Sequence, residues 1–154
     1  MATKEEVQAL MAKHAGAGIN CGTTEHAPSA ERIRETEELL NVPLPDSYKW
    51  FLSQYGNVVV GGDEVWSIYP EYSATMYSGD IAYQYKNDAK GGLTKANEIS
   101  IAATDFGEWF VFDTTQKAEG NEYPVLLMLG EERQPYAANF LEFIAKFIRL
   151  QCDG

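Results

Sequence analysis

The stretch Asn41-Val-Pro-Leu-Pro-Asp-Ser-Tyr-Lys-Trp-Phe-Leu-Ser-Gln-Tyr-Gly56 decides how the chain folds. Its two prolines bracket a single leucine, so the chain arrives extended, turns, and enters a helix at Pro45. There the missing N–H costs nothing, because no carbonyl of the helix would have received it. Asp46 falls in the first turn, where the helix dipole favours a negative charge. Tyr48, Phe51, Leu52 and Tyr55 recur at i, i+3, i+4 and i+7 and form one apolar stripe. Gly56 stands where a helix ends by going left-handed.

Upstream, Pro28 and Ser29 start a helix over Ala30 to Leu40, with Ile33, Thr36 or Glu37, and Leu40 inward and Glu31, Arg34, Glu35 and Glu38 outward. The turn to the next helix is short, so the two are expected side by side. Further back, Val7, Leu10, Met11 and His14 have helical spacing after a Thr3 cap. Between these helices, Gly16-Ala-Gly18-Ile-Asn-Cys-Gly22 has its third glycine one residue late for a dinucleotide-binding loop and follows a helix instead of a strand. It reads as a flexible linker.

Past Gly56 the period changes. Val58 to Val60, Gly61-Gly62, and Glu64 to Tyr69 read as a hairpin. Tyr77, Ile81 and Tyr85 are spaced for a helix over roughly Gly79 to Ala89, ended by Gly91-Gly92. Ile99 to Ala103 and Glu108 to Asp113 form a second hairpin about Thr104-Asp105-Phe106-Gly107, and Tyr123 to Leu129 adds a strand. Both alternating sets of the last two strands are apolar, so those strands are central and covered, at least in part, on both sides. Asn139 with Glu142 caps a final helix whose Phe140, Phe143, Ile144, Phe147, Ile148 and Leu150 leave little polar surface, so a core helix laid across the sheet is expected. Helices first, then strands, then a helix predict one α+β domain over 1–154, a mainly antiparallel sheet packed with four to five helices. Residues 1–28 are expected to be an N-terminal helix and linker, and 29–150 the core.

Composition narrows the function. With 23 Asp and Glu against 12 Lys and Arg the net charge is −11. Such a surface repels phosphate backbones, and no basic stripe offsets it, which argues against nucleic acid as a partner and for a basic one. The bland reading, acidity for solubility alone, stands beside it. Cys21 and Cys152 are isolated, as a reducing cytoplasm tolerates, and His14, Cys21 and His26 lack metal-ligand spacing. No metal or cofactor is expected. The N-terminus has no signal-peptide pattern and the longest aliphatic run, Val125 to Leu129, is too short to span a bilayer, so a cytoplasmic protein without membrane contact is expected. There is no Gly-x-Ser-x-Gly elbow, His-Glu-x-x-His or Walker loop, and adjacent acids such as Asp63-Glu64 or Glu131-Glu132 face opposite ways on a strand. The residues give no catalytic constellation.

Leu40 to Gly56, following the Glu-rich helix, resembles the signature of the SUKH superfamily, the Smi/Knr cell-wall-assembly-regulator family. The Ile99 to Asp113 hairpin, the Pro124-Val125 strand and the closing Asn139-Phe-Leu-Glu-Phe helix are similar to its later blocks, so the resemblance spans about Ser29 to Ile148. Tyr55-Gly56-Asn57 and Gly107-Glu108 depart from the usual Asn-Gly or Gly-Gly and Gly-Asp pairs. The resemblance implies a binding module. Bacterial members are immunity proteins that neutralise a cognate toxin, and fungal members regulate wall synthesis through protein partners. Many such toxins act on nucleic acids and have basic clefts that an acidic protein can fill as a phosphate mimic. Candidate contact residues combine acid and aromatic in turns: Asp63, Glu64, Trp66, Tyr69, Glu71 and Tyr72 around the first hairpin, and Glu119, Glu122, Glu131 and Glu132 in later loops. Core packing for Trp66 and Tyr69, and a solvated face for the glutamates, are the competing readings.

Overall fold

The Thr3 hydroxyl accepts the Glu6 N–H and starts α1 (Lys4–His14), whose Val7, Leu10, Met11 and His14 turn inward as their spacing predicts. The computed structural model describes residues 2–71 and 79–153, so Tyr72 and Tyr77 lie outside the described residues. Ser29 Oγ accepts the Arg32 N–H to begin α2 (Ala30–Leu40), and Asn41 ends it in the left-handed region at φ 61°. Pro45 is the cap of α3 (Asp46–Tyr55) and stands just outside its first turn, one residue off expectation. Gly56 has two reasons to be glycine: its φ is +69°, and a Cβ there would come within 2.5 Å of the His26 side chain.

Seven strands among the described residues form one antiparallel sheet in sequence order. They are β1 (Ile19–Cys21), β2 (Val58–Val60), β3 (Asp63–Val65), β4 (Glu98–Ala103), β5 (Glu108–Asp113), β6 (Val125–Leu129) and β7 (Glu132–Ala137). Two of these correct the sequence reading. The glycine-rich linker contains β1, which pairs Ile19 with Val60 at the sheet edge. Glu132, read as a loop residue, opens β7, where Pro135 pairs with Leu126 beside a bulge. A proline lacks the ladder N–H, so it is confined to an edge strand, and that is where β7 lies. The first hairpin also stops early. Beyond Val65 the Trp66 N–H reaches Ile101 O and the Ser67 N–H turns to Gly79 O.

Asp80 caps α4 (Ile81–Lys90) by accepting the Tyr83 N–H, and Asn139 caps α5 (Phe140–Ile148) by accepting the Glu142 N–H. After Ile148 the backbone widens into a π turn, Arg149–Asp153. The wider turn carries Leu150 away from the core, where it is 56% exposed, while Phe140 to Ile148 form the core helix expected.

Alternation along β5 sends Phe110 and Phe112 to one face of the sheet and Trp109 and Val111 to the other. On the first face α5 lies across the strands with α1 and α3 beside it. Phe110 meets Phe143 and Phe147 at 5.2 and 5.5 Å between ring centres, and Tyr48 meets Phe140 edge-on at 5.2 Å. Each buried ring contributes about 1.5–3 kcal/mol by leaving water, and each edge contact about 0.5–1.5 kcal/mol more. On the second face α4 packs on β4 and α2 on α4, while Val111 and Met128 are fully buried outside the main cluster. The central strands are thus covered on both sides, as expected. The side-by-side packing expected of α2 and α3 is replaced. Left-handed Asn41 and the Pro43–Pro45 link carry the chain across, so α2 finds its helical partner in α4 and α3 in α5.

Candidate binding surface

A meander places alternate turns at the same end of the sheet. The β2–β3 turn at Gly61-Gly62, the β4–β5 turn at 104–107 and the β6–β7 turn at 130–131 share one end, and the longer connections share the other. Asp63 opens β3 and Glu108 opens β5, so both lie at the tight-turn end, and alternation from Val65 and Phe110 puts both on the first face. Leu129 pairs with Glu108, and Glu132 with Leu129. The π turn after α5 closes over this end: Gln151 Nε2 donates to Asp63 Oδ2 at 2.9 Å, and Leu150 shares a recess of about 520 Å³ with Tyr136, Lys146, Arg149 and Asp153.

The carboxylate charges at this end act on the groups around them in one direction. Partial burial raises the Asp63 carboxyl above the usual carboxylate value, the Asp105 charge raises it further, the Gln151 hydrogen bond opposes both, and Glu108 adds to the rise. Burial, and then the Glu108 charge, raise the Tyr136 hydroxyl. Among the described residues Asp63, Asp105, Glu108 and Glu132 form no ion pair. The cations nearby are engaged elsewhere. Lys146 donates to Tyr136 O and sits 4.3 Å from the centre of its ring, and Arg149 pairs with Glu6 at 3.0 Å.

Apolar side chains collect at the same end. The described residues hold four exposed large hydrophobics, and three of them, Phe106 at 86%, Leu150 at 56% and Leu129 at 38%, are here. Single exposed hydrophobics are ordinary, but a group of them is not. Phe106 was read only as part of a turn. The available signal was its chemistry, since such turns favour Gly, Asn, Asp or Ser and an aromatic there contributes nothing to the turn.

The sequence candidates separate. Asp63 and Glu132 belong to this end. Glu64 points to the opposite face of β3, where burial raises its carboxyl. Trp66 is 9% exposed and its carbonyl accepts the Tyr48 hydroxyl at 2.6 Å, which places it in the core and not on a contact surface. Glu122 is also structural: its carboxylate takes the Ser47 N–H at 3.0 Å and the Ser47 hydroxyl at 2.6 Å, and so caps α3 from the far end of the sheet. Glu119 is exposed at that far end. Glu131 sits beside Gly92–Lys95 in a recess shared with Arg133.

Tyr69 lines a cleft of about 530 Å³ beside the end of α3, bounded by residues 25–29, Arg32, Gly56–Asn57 and 67–70, with exposed Glu71 just beyond. Several of its polar groups are engaged within the chain, but the buried Arg32 Nη2 makes no hydrogen bond among the described residues. Arg32, a buried residue to which the sequence reading assigned neither face of its helix, donates through Nε to Tyr69 O at 2.9 Å and through Nη1 to Glu35 at 2.8 Å. Its Nη2 lies 3.6 Å from buried Asp80. His26 Nδ1 accepts the Thr23 N–H at 3.0 Å. Among the described residues no three His, Cys, Asp or Glu side chains converge as a metal ion would need, and no helix is long and apolar enough to cross a membrane.

A family model described as SUKH_6, SMI1-KNR4 cell-wall, matches residues 30–144, from the start of α2 into α5. No curated protein matches the chain.

Proposed function

The chain belongs to the SMI1-KNR4 family, and on that premise we propose that it is a non-catalytic protein-binding module, an immunity protein that neutralises a cognate toxin in the cytoplasm by occluding its active site. The observation that carries this reading is the tight-turn end of the sheet, where unpaired carboxylates and exposed apolar side chains meet on a body of net charge −11. A toxin acting on nucleic acid has a basic cleft. Complementary fields speed encounter with such a cleft, and apolar anchors slow release. Binding of this kind needs no cofactor and no catalytic side chain.

The family description carries the words cell-wall, which favours a second reading, a regulator of wall synthesis that acts through protein partners. Co-expression discriminates the two. If the open reading frame beside this gene encodes a toxin, its expression alone is expected to stop growth and co-expression of this chain to restore it. The two purified proteins are expected to associate quickly at low salt and much more slowly at high salt. Growth arrest that this chain does not relieve overturns the immunity reading. Relief with a salt-independent association rate overturns only its electrostatic part.

A further inference from the structure

We infer that the tight-turn end of the first sheet face is the docking surface, and that it accepts a basic protein surface carrying an apolar anchor. The inference rests on the protein-binding reading above and adds where the partner sits and what chemistry it presents. Two independent features converge there. The first is apolar: Phe106 stands on a turn that has no use for it, Leu150 is turned outward by the π turn, and Leu129 ends a strand whose other residues are at least half-buried. The second is electrostatic: Asp63 opens β3 and Glu108 opens β5 at this end with Asp105 in the turn between β4 and β5, the charges of Asp105 and Glu108 both act on Asp63, and none of the three pairs with a cation among the described residues, although Lys146 and Arg149 line the same recess as Leu150.

Each feature disfavours the isolated protein, and each is relieved by the same occupant. Positive charge compensates the carboxylates, and an apolar side chain covers Leu129, Leu150 and Phe106. Local choices that cost stability without a structural return are expected at functional sites. The exposed face of α2 is an internal comparison. Glu31, Glu35 and Glu38 give it the same sign of charge, but it carries none of the exposed large hydrophobics. A partner attracted by charge alone would use both surfaces, whereas one that also needs an anchor uses the sheet end.

The test uses the full chain, labelled for amide NMR, and two synthetic probes: a short peptide alternating arginine and leucine, and one alternating arginine and serine. The arginine–leucine peptide is expected to shift the amides of 104–108, 129–132 and 149–153, with α2 little changed. It is expected to bind about tenfold or more tightly than the arginine–serine peptide. Phe106→Ser, exposed and therefore safe for folding, is expected to remove most of that preference, and Leu150→Ser part of it. Equal shifts on α2 and the sheet end, or a preference that survives both substitutions, overturns the inference. The result is independent of the growth assay: a peptide that docks here beside a toxin that is not neutralised sinks the immunity role and leaves the surface standing.

Discussion

At the far end of the sheet the carboxylates are held by neighbours. Glu122 takes two hydrogen bonds from Ser47, Asp113 takes the Thr115 N–H and hydroxyl, and Glu98 is gripped by Arg133 through two bonds of 2.9 Å. At the tight-turn end Asp63 has Gln151, Glu108 has Thr104, and no cation answers either. The same residue type therefore does two jobs. Where long connections must be fixed to the sheet, carboxylates are building groups. Where tight glycine turns close the strands, carboxylates hold single neutral partners and keep their charge without a cation. Net charge alone cannot separate the two jobs, but the hydrogen-bond partners can.

The sharpest way to break this contrast is to remove a building partner. Glu98 is nearly fully buried, so Arg133→Ala leaves its charge with only the Lys95 N–H and the Lys95 charge to compensate it, and equilibrium denaturation is expected to show a loss of about 3 kcal/mol. Glu122→Ala comes next, with a loss of about 1–2 kcal/mol, because the buried Ser47 N–H loses its acceptor at the start of α3. If either variant is as stable as the parent, the far-end carboxylates are not building groups and the comparison fails.

Acid titration separates the ends by sign. The Arg133 hydrogen bonds, acting against burial, hold the Glu98 carboxyl below the ordinary 4.5. For Asp113 burial pushes upward, but the bonds from Thr115, Gln116 and Asn97 together bring it below the ordinary 3.8. A carboxyl depressed in the folded state contributes stability that is present above its unfolded value and lost as pH falls through the folded one. Stability is therefore expected to decline below about pH 4.5, and Glu98→Gln to flatten that decline in urea melts taken across the acid range.

What the sequence disclosed was short-range. Thr3, Ser29 and Asn139 each cap a helix through a bond spanning three residues, and all three helices could be read from that spacing and their apolar period. The Glu122–Ser47 cap spans 75 residues, so nothing local marks Glu122 as structural. β7 went unread, and its Pro135 is allowed in a strand only at an edge position, which is a property of the sheet and not of the segment. The candidate list mixed both ends for the same reason. Which turns share an end depends on strand order, and only then do Asp63 and Glu132 separate from Glu119 and Glu122. Phe106 was visible throughout, but its meaning came from Leu129 and Leu150, which fold to the same end of the sheet.

The smallest expected effect is the one most specific to the contrast. Asp63 has a carboxyl raised by burial and by Asp105, so its charged form is disfavoured in the folded chain. A raised group contributes stability that is present below its unfolded value and lost as pH rises through the folded one, the reverse of Glu98. At neutral pH its charge is a small liability. Asp63→Asn removes that charge while its side-chain carbonyl still accepts the Gln151 N–H, so the variant is expected to be as stable as the parent or more stable by up to about 0.5 kcal/mol. Its arginine–leucine peptide affinity is expected to fall even so. A variant that gains stability and loses binding is what displayed charge produces, whereas a clear loss of stability in chemical denaturation would move Asp63 to the building group and erase the difference between the two ends.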